Sequence, residues 1–263
     1  MKRLKIFLLQ LSVAIIFFFL WEIGTTVPLF NGKPILPPFF FSTPIDIFKR
    51  IGLDFQSGKV WYHLWITLLE TILAFAIGAG GGILLGFWFA QKKMLAAVFD
   101  PYIKAANALP RVVLAPIFAL WFGLGIWSKV ALGFTLVFFV VFFNVYQGVR
   151  EVNPTILANA RMIGMNERQL LRHVYLPSAM TWVFSSLHTS VGFAMVGAVV
   201  GEYLGASAGL GYLISQAEGV FDVTGVFSGM LILTIFVILI DILVSMIEKR
   251  LLIWRADPRG KQS

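Results

Sequence analysis

Between Val226 and Ile247 the chain carries a single charge, Asp241, in a stretch long enough to cross a bilayer, which takes roughly 20 helical residues at about 1.5 Å each. Similar runs recur along the sequence: Ile6 to Ile23, His63 to Ala90, Val112 to Trp127, Val130 to Val149 and Pro177 to Val200. Backbone in lipid must satisfy its own hydrogen bonds, so this pattern predicts an all-α polytopic membrane protein with six transmembrane helices. Composition agrees, with 59% of the 263 residues apolar or aromatic and only 13% charged, too few to coat a water-soluble fold. Cysteine is absent, which excludes disulfides, thiolate catalysis and thiolate metal sites. The three histidines are dispersed, and no Asp or Glu lies near them at ligand spacing, so no metal and no catalytic set is expected.

The connections set the topology. Lys2, Arg3 and Lys5 precede the first run as in a signal peptide, but the run is long and no small-x-small cleavage pattern follows before Pro28, so an uncleaved anchor is expected over 1–24. Pro28, Pro34, Pro37, Pro38 and Pro44 make 25–62 an external loop with room for one surface helix. In the second run Gly78, Gly82 and Gly86 recur every four residues and share one helix face; close helix packing and a hinge are both open readings. Asp100 to Arg111 reads as an interfacial helix. The Val112 to Trp127 run that follows is short and broken by Pro116, Gly123 and Gly125, so its backbone should be shielded by protein or line a cavity. Sixteen of the 21 Lys and Arg fall on the side of the termini, and only Lys33, Lys49, Arg50, Lys59 and Lys129 on the other, which places both termini in the cytoplasm. On this division 63–255 is a five-helix core and 256–263 a cytoplasmic tail. The net charge of +8 follows topology and does not indicate nucleic acid.

The hydrophilic stretch 150–176 should fold on its own signals. Asn153 can cap a helix that begins at Pro154, with Ile156, Leu157, Ala160 and Ile163 forming an apolar stripe. Gly164 ends that helix, and Asn166 with Gln169 has the spacing of a capping box for a second short helix before Pro177 opens the next span. The result is a cytoplasmic knob carrying Arg161, Arg168 and Arg172, suited to docking a soluble subunit or serving as a solvated surface.

These residues resemble the membrane-spanning permease subunits of bacterial ATP-binding-cassette importers. The family's cytoplasmic motif is Glu-Ala-Ala, three residues, Gly, nine residues, a branched apolar residue, one residue, then Leu-Pro. Here the register gives Ala158, Asn159, Ala160, Arg161, Met162, Ile163, Gly164, nine residues to His173, then Val174, Tyr175, Leu176 and Pro177. The glycine and the Leu-Pro match, while Ala158 replaces the motif Glu and Asn159 its first Ala, so a salt bridge from that Glu cannot be carried over. The stretches Ala108 to Gly123 and Asn144 to Pro154, with Leu20-Trp21-Glu22 before a Pro-rich loop, are similar to the nitrate, sulfonate and taurine branch. The resemblance covers about residues 60–255. It implies the type I importer permease fold with coupling helices near 154–174, a second permease subunit completing a homodimer, two ATP-binding subunits that use ATP and magnesium, and an external solute-binding protein. It assigns ATPase coupling to Ala158, Asn159, Ala160, Arg161, Gly164, Arg168, Leu176 and Pro177. The sequence has no Gly-x-x-x-x-Gly-Lys-Ser/Thr, so the chain itself is not expected to hydrolyse ATP or to bind a cofactor.

Polar residues inside the runs are the candidates for a translocation pathway: Ser185, His188, Thr189, Glu202 and Asp241. A pair among Glu70, His188 and Asp241 satisfying each other inside the bundle is the competing reading. Glu202 is expected at the outer end of its span within reach of solvent. The glycines of 201–225 read equally as ordinary turns or as an outer gate. The implied solute is a small anion such as a sulfonate, taurine or nitrate, with a thiamine precursor, a riboflavin-like molecule or an aromatic compound as rivals. A secondary transporter is the competing class, and it would need its own coupling-ion site.

Overall fold

The computed structural model describes residues 2–30 and 32–251; the expected tail 256–263 lies outside the described residues. Helix α1 (Lys2–Thr26) is followed by a hairpin of two short antiparallel strands, β1 (Pro28–Phe30) and β2 (Lys33–Pro34), then α2 (Pro38–Phe41) and α3 (Pro44–Gln56). The 25–62 stretch is therefore more ordered than the expected loop, with two helices in place of one. Thr43 caps α3 by accepting from the Asp46 amide. Arg50 on α3 binds Asp54 at 3.2 Å and Asp222 at 3.0 Å. Partial burial alone would lower the guanidinium's affinity for its proton, but the two carboxylates outweigh it and hold the group above its ordinary value.

The bundle proper comprises α4 (Lys59–Gln91), α5 (Lys93–Ala108), a 3₁₀ turn (Arg111–Leu114), α6 (Ala115–Phe122), α7 (Ile126–Arg150), α8 (Pro154–Met162), α9 (Glu167–Leu170), a π-helical turn (Leu171–Tyr175), α10 (Leu176–Leu204), α11 (Leu210–Gly219) and α12 (Val223–Leu251). Five helices, α1, α4, α7, α10 and α12, have spans long and apolar enough to cross a membrane. The core lies among α4, α7 and α10, where Ala74, Val137, Val141, Val145 and Ala194 are sealed from solvent.

Contacts along α4 and α7 give their relative direction. Gly78 faces Val137, Gly82 faces Val141 and Gly86 faces Val145, so positions increase together and the two helices run parallel. A Cβ on Gly82 would lie 2.8 Å from the Val141 Cβ and 2.9 Å from the Phe138 carbonyl, which explains the four-residue glycine spacing as close packing.

Parallel neighbours require the chain to return across the membrane between them. That return is made by α5 and the segment Arg111–Phe122, which meet at 83°. The irregularity expected of the Val112 to Trp127 run is present, but its bounds are corrected here. Proline at 110 and the glycines at 123 and 125 confine the second limb to 111–122, and Ile126 and Trp127 already belong to α7. The expected interfacial helix likewise begins earlier, at Lys93. Counting the bent pair as one span, the described residues hold up to six candidate crossings. Lys129 on α7 meets Gly201 on α10 while Gly148 meets Trp182, so these two helices are antiparallel. His188 on α10 meets Asp241 on α12, and the end of α1 meets the start of α12 through Trp21 and Phe227. It follows that the start of α1, the loop 151–175 and the end of α12 share one side.

Candidate functional site: a capped helical knob and buried polar groups

On the side shared by the chain ends, α8 is built by the signals read above. The Asn153 carboxamide accepts from the Thr155 amide at 2.8 Å, and Pro154 opens the helix. At its end Gly164 takes φ +86°, the Gly164 amide donates to the Arg161 carbonyl and the Met165 amide to the Ala160 carbonyl, at 3.0 and 3.1 Å. That pair of bonds is a Schellman closure, which a residue with a Cβ would strain. Asn166 and Gln169 exchange both bonds of a capping box at 2.9 Å.

Packing then splits the apolar stripe. Ala160 is buried with Val152, Leu170 and Val174, but Met162 and Ile163 are 84% and 75% exposed at the tip, and Ile156 is exposed as well. The apolar stripe is thus buried only in part, at Ala160, while Ile156 and Ile163 stay exposed. Ala158, Asn159, Arg161, Gly164 and Arg168 are exposed around this tip, and Arg161 faces Glu167 at 3.6 Å across the glycine joint. The second short helix is not a separate element either. Through the π-helical turn α9 is continuous with α10, in which Leu176 and Pro177 occupy the first positions.

Along the spans the polar candidates separate into two groups, one half-exposed and one buried. His188 Nε2 lies 3.8 Å from the Asp241 carboxylate; Ser185 lies one turn before His188, and its carbonyl accepts from the Thr189 hydroxyl at 3.2 Å. A cavity of about 240 Å³ adjoins His188 between α4, α10 and α12, lined by Phe75, Phe184, Leu187, Val191, Val244 and Ile247.

Glu202 stands apart from this group. It is 1% exposed, so the expected contact with solvent at the outer end is corrected. One of its oxygens accepts from the Thr67 hydroxyl and the other from the Gly211 amide, both at 2.7 Å. The Leu210 amide donates to the Thr67 hydroxyl at 2.9 Å, and the Gly209 amide to His63 Nδ1 at 3.0 Å. The unpaired amides at the start of α11 are thus satisfied by side chains of α4 and α10, and a carboxylate sits at the positive end of the helix. Gly209 takes φ +112°, and any side chain there would collide with the Glu202 carboxylate. Lys129, counted as an outer charge by the sequence, is 1% exposed and donates to the carbonyls of Leu124 and Gly205, both at 2.7 Å. Glu70 lies beside Glu202 and Lys129, not beside His188.

The model of a family described as "binding-protein-dependent transport system inner membrane component" matches residues 82–253. The chain belongs to this family. It is a membrane permease subunit of an ABC-type importer. Among similar proteins are the formylaminopyrimidine transport permease protein of Halalkalibacterium halodurans, 34% identical over 90% of this chain and 91% of that one, and the riboflavin transport system permease protein of Chloroflexus aurantiacus, 30% identical over 90% and 86%. The taurine transport system permease protein of Escherichia coli is 24% identical over 85% and 83%. Among solved structures, a chain of the MetNI methionine ABC transporter superposes with a TM-score of 0.58 at 19% identity, covering 74% of this permease and 94% of that chain. A chain of an amino acid ABC transporter with histidines gives 0.58 at 21% identity, covering 76% and 97%. The fold is that of a type I importer permease.

Sequence reasoning about this permease missed the knot around Thr67, His63 and Lys129. Its one signal was the glycine-rich run 205–211, in which Gly209 and Gly211 are approached closely by Glu202. Among the described residues no group of three or more His, Asp or Glu side chains is placed to hold a metal.

Proposed function

We propose that this permease works as a homodimer, that two separate ATPase subunits using ATP and magnesium dock on its 154–174 helices from the cytoplasm, and that a solute-binding protein delivers solute on the opposite face. Both termini are then cytoplasmic, in keeping with the Lys and Arg distribution. The observation that carries the reading is the exposed Met162–Ile163 tip, ringed by Arg161, Arg168 and Arg172, on a capped unit joined to α10 without a break. An apolar tip with a basic rim suits a partner's groove.

Force on α8 passes through the Val152, Ala160, Leu170 and Val174 contacts to α10, and α10 packs along α7 and α4. Rocking of that unit would expose the Ser185, His188, Thr189 and Asp241 region to each side in turn. Docking makes Ala158, Asn159, Arg161, Gly164 and Arg168 the contact set, with buried Ala160 tying α8 to the small core and Leu176 and Pro177 fixing the junction to the span.

For the solute we infer a small anion such as a sulfonate or taurine, supported by the likeness to the taurine permease. A thiamine precursor is the second reading, favoured by the 34% identity with the formylaminopyrimidine permease. Proteoliposomes holding this chain, its ATPase and its binding protein test both: ATP-dependent uptake of taurine supports the first and uptake of formylaminopyrimidine the second. Uphill uptake by this chain alone under a proton gradient would overturn the importer reading.

A further inference from the structure

The segment between α1 and α3 is clamped to the outer ends of two lipid-facing helices. The Leu36 amide donates to the Gly24 carbonyl at 2.9 Å, and Ser42 Oγ shares a hydrogen bond of 2.8 Å with Thr224 Oγ1 in the first turn of α12. These anchors hold α2 level with the places where the apolar windows of α1 and α12 stop, at Thr26 and Val223. At that level the surface is strongly apolar. Phe39 and Phe40 on α2 are 63% and 65% exposed, Ile35 precedes them, and across the Ser42–Thr224 bond Val220 and Phe221 are 71% and 78% exposed at the turn before α12.

Backbone strain points to the same place. Among the described residues two non-glycine residues hold a left-handed backbone, Ser42 at φ 53° and Phe221 at φ 57°. Ser42 closes α2, and Phe221 occupies the position after α11 where glycine is ordinarily found, with the Asp222 amide reaching back to the Ala217 carbonyl. A glycine at either position would relieve the strain. Strain kept on both flanks of one apolar patch suggests that the patch does something beyond folding.

We infer that Phe39, Phe40, Val220 and Phe221 form an interfacial anchor seated in the outer leaflet, at the boundary between headgroups and acyl chains. Lipid is the occupant because the patch continues the uncovered apolar flanks of α1 and α12, where Phe19, Leu20, Ile235, Ile238 and Leu239 are exposed. Aromatic and aliphatic side chains at this depth bury their surface without crossing the membrane. By holding α2 and the α11–α12 turn at a fixed height, the anchor would give the α11 end of the bundle a reference against which the rest can rock. The inference rests on the membrane-spanning arrangement and, for the leaflet it names, on the proposed orientation; it would survive a different solute or a different energy source.

The chain has no cysteine, so single-cysteine variants need no background removal. Spin labels at Phe39→Cys, Phe40→Cys and Phe221→Cys, on the full chain in phosphatidylethanolamine and phosphatidylglycerol vesicles, are relaxed by oxygen from the lipid or by a nickel chelate from the water. Ile238→Cys on the flank of α12 and Lys49→Cys on α3 give the lipid and water references, and elution as a single species confirms folding of each variant. The expected result is that oxygen dominates at 39, 40 and 221, as at 238. Dominance of the nickel chelate at these sites, as at 49, would overturn the anchor. Weak relaxation by both agents would also overturn it, by showing that a second copy of the chain or another protein covers the patch.

Discussion

Thr67 does two things with one hydroxyl: it donates to Glu202 and accepts from the Leu210 amide, and it is fully buried while doing so. Thr67→Val keeps the shape and removes both bonds, leaving a carboxylate oxygen and an amide short of partners. An unsatisfied buried group costs about 1–3 kcal/mol. We expect Thr67→Val to lower the thermal unfolding midpoint in detergent and to make a reporter at Ser207→Cys more reactive to a thiol reagent, because α11 loses its cap. Unchanged reactivity and midpoint would mean that His63 and Gly211 suffice. The knot was not legible from the sequence. Thr67, Lys129 and Glu202 lie on separate stretches of chain, and beyond the glycines at 209 and 211 no local rule says that they meet. Of the three groups among which a buried pair was expected, His188 comes within 3.8 Å of Asp241, whose side chain is largely exposed, and Glu70 joins a different set.

At the scale of single elements the sequence spoke most clearly where bonds are local. Asn153, Gly164, Asn166 and Gln169 act on residues two to five positions away, and each forms the cap that its spacing predicted. The 83° bend had a local signature in Pro110, which holds Leu109 in an extended backbone after α5, whereas the π-helical turn at Leu171–Tyr175 had none. Two predictions belong here. Gly164→Val forces a β-branched residue into a left-handed backbone, at about 1–2 kcal/mol or more, and should weaken ATPase association in a pull-down while membrane insertion stays normal. Normal association would separate the Schellman turn from docking. Gly82→Leu should destabilise the α4–α7 pair by about 1–3 kcal/mol, since its Cβ would meet both Val141 and the Phe138 carbonyl. Gly80, two residues away, has nothing within 4 Å, so Gly80→Leu should leave the isolated chain's unfolding midpoint nearly unchanged. Equal effects at 80 and 82 would point to helix propensity, not close packing.

For the whole molecule, the parallel run of α4 and α7 makes the broken α5–α6 crossing obligatory, and that crossing puts the ends of the chain on the side of the 154–174 knob. Geometry alone leaves two orientations related by turning the protein over in the bilayer. The proposed orientation follows the charge, with Arg161, Arg168 and Arg172 on the knob side and fewer basic residues on the other. If the knob is cytoplasmic, Ala158→Cys should escape a membrane-impermeant thiol reagent applied to intact cells and react once the cells are opened. Lys49→Cys, on the opposite side of the bundle, should react in both cases. The reverse pattern would put the exposed Met162–Ile163 tip outside the cell, where no ATPase could reach it, and the coupling role of α8 would fall with the orientation.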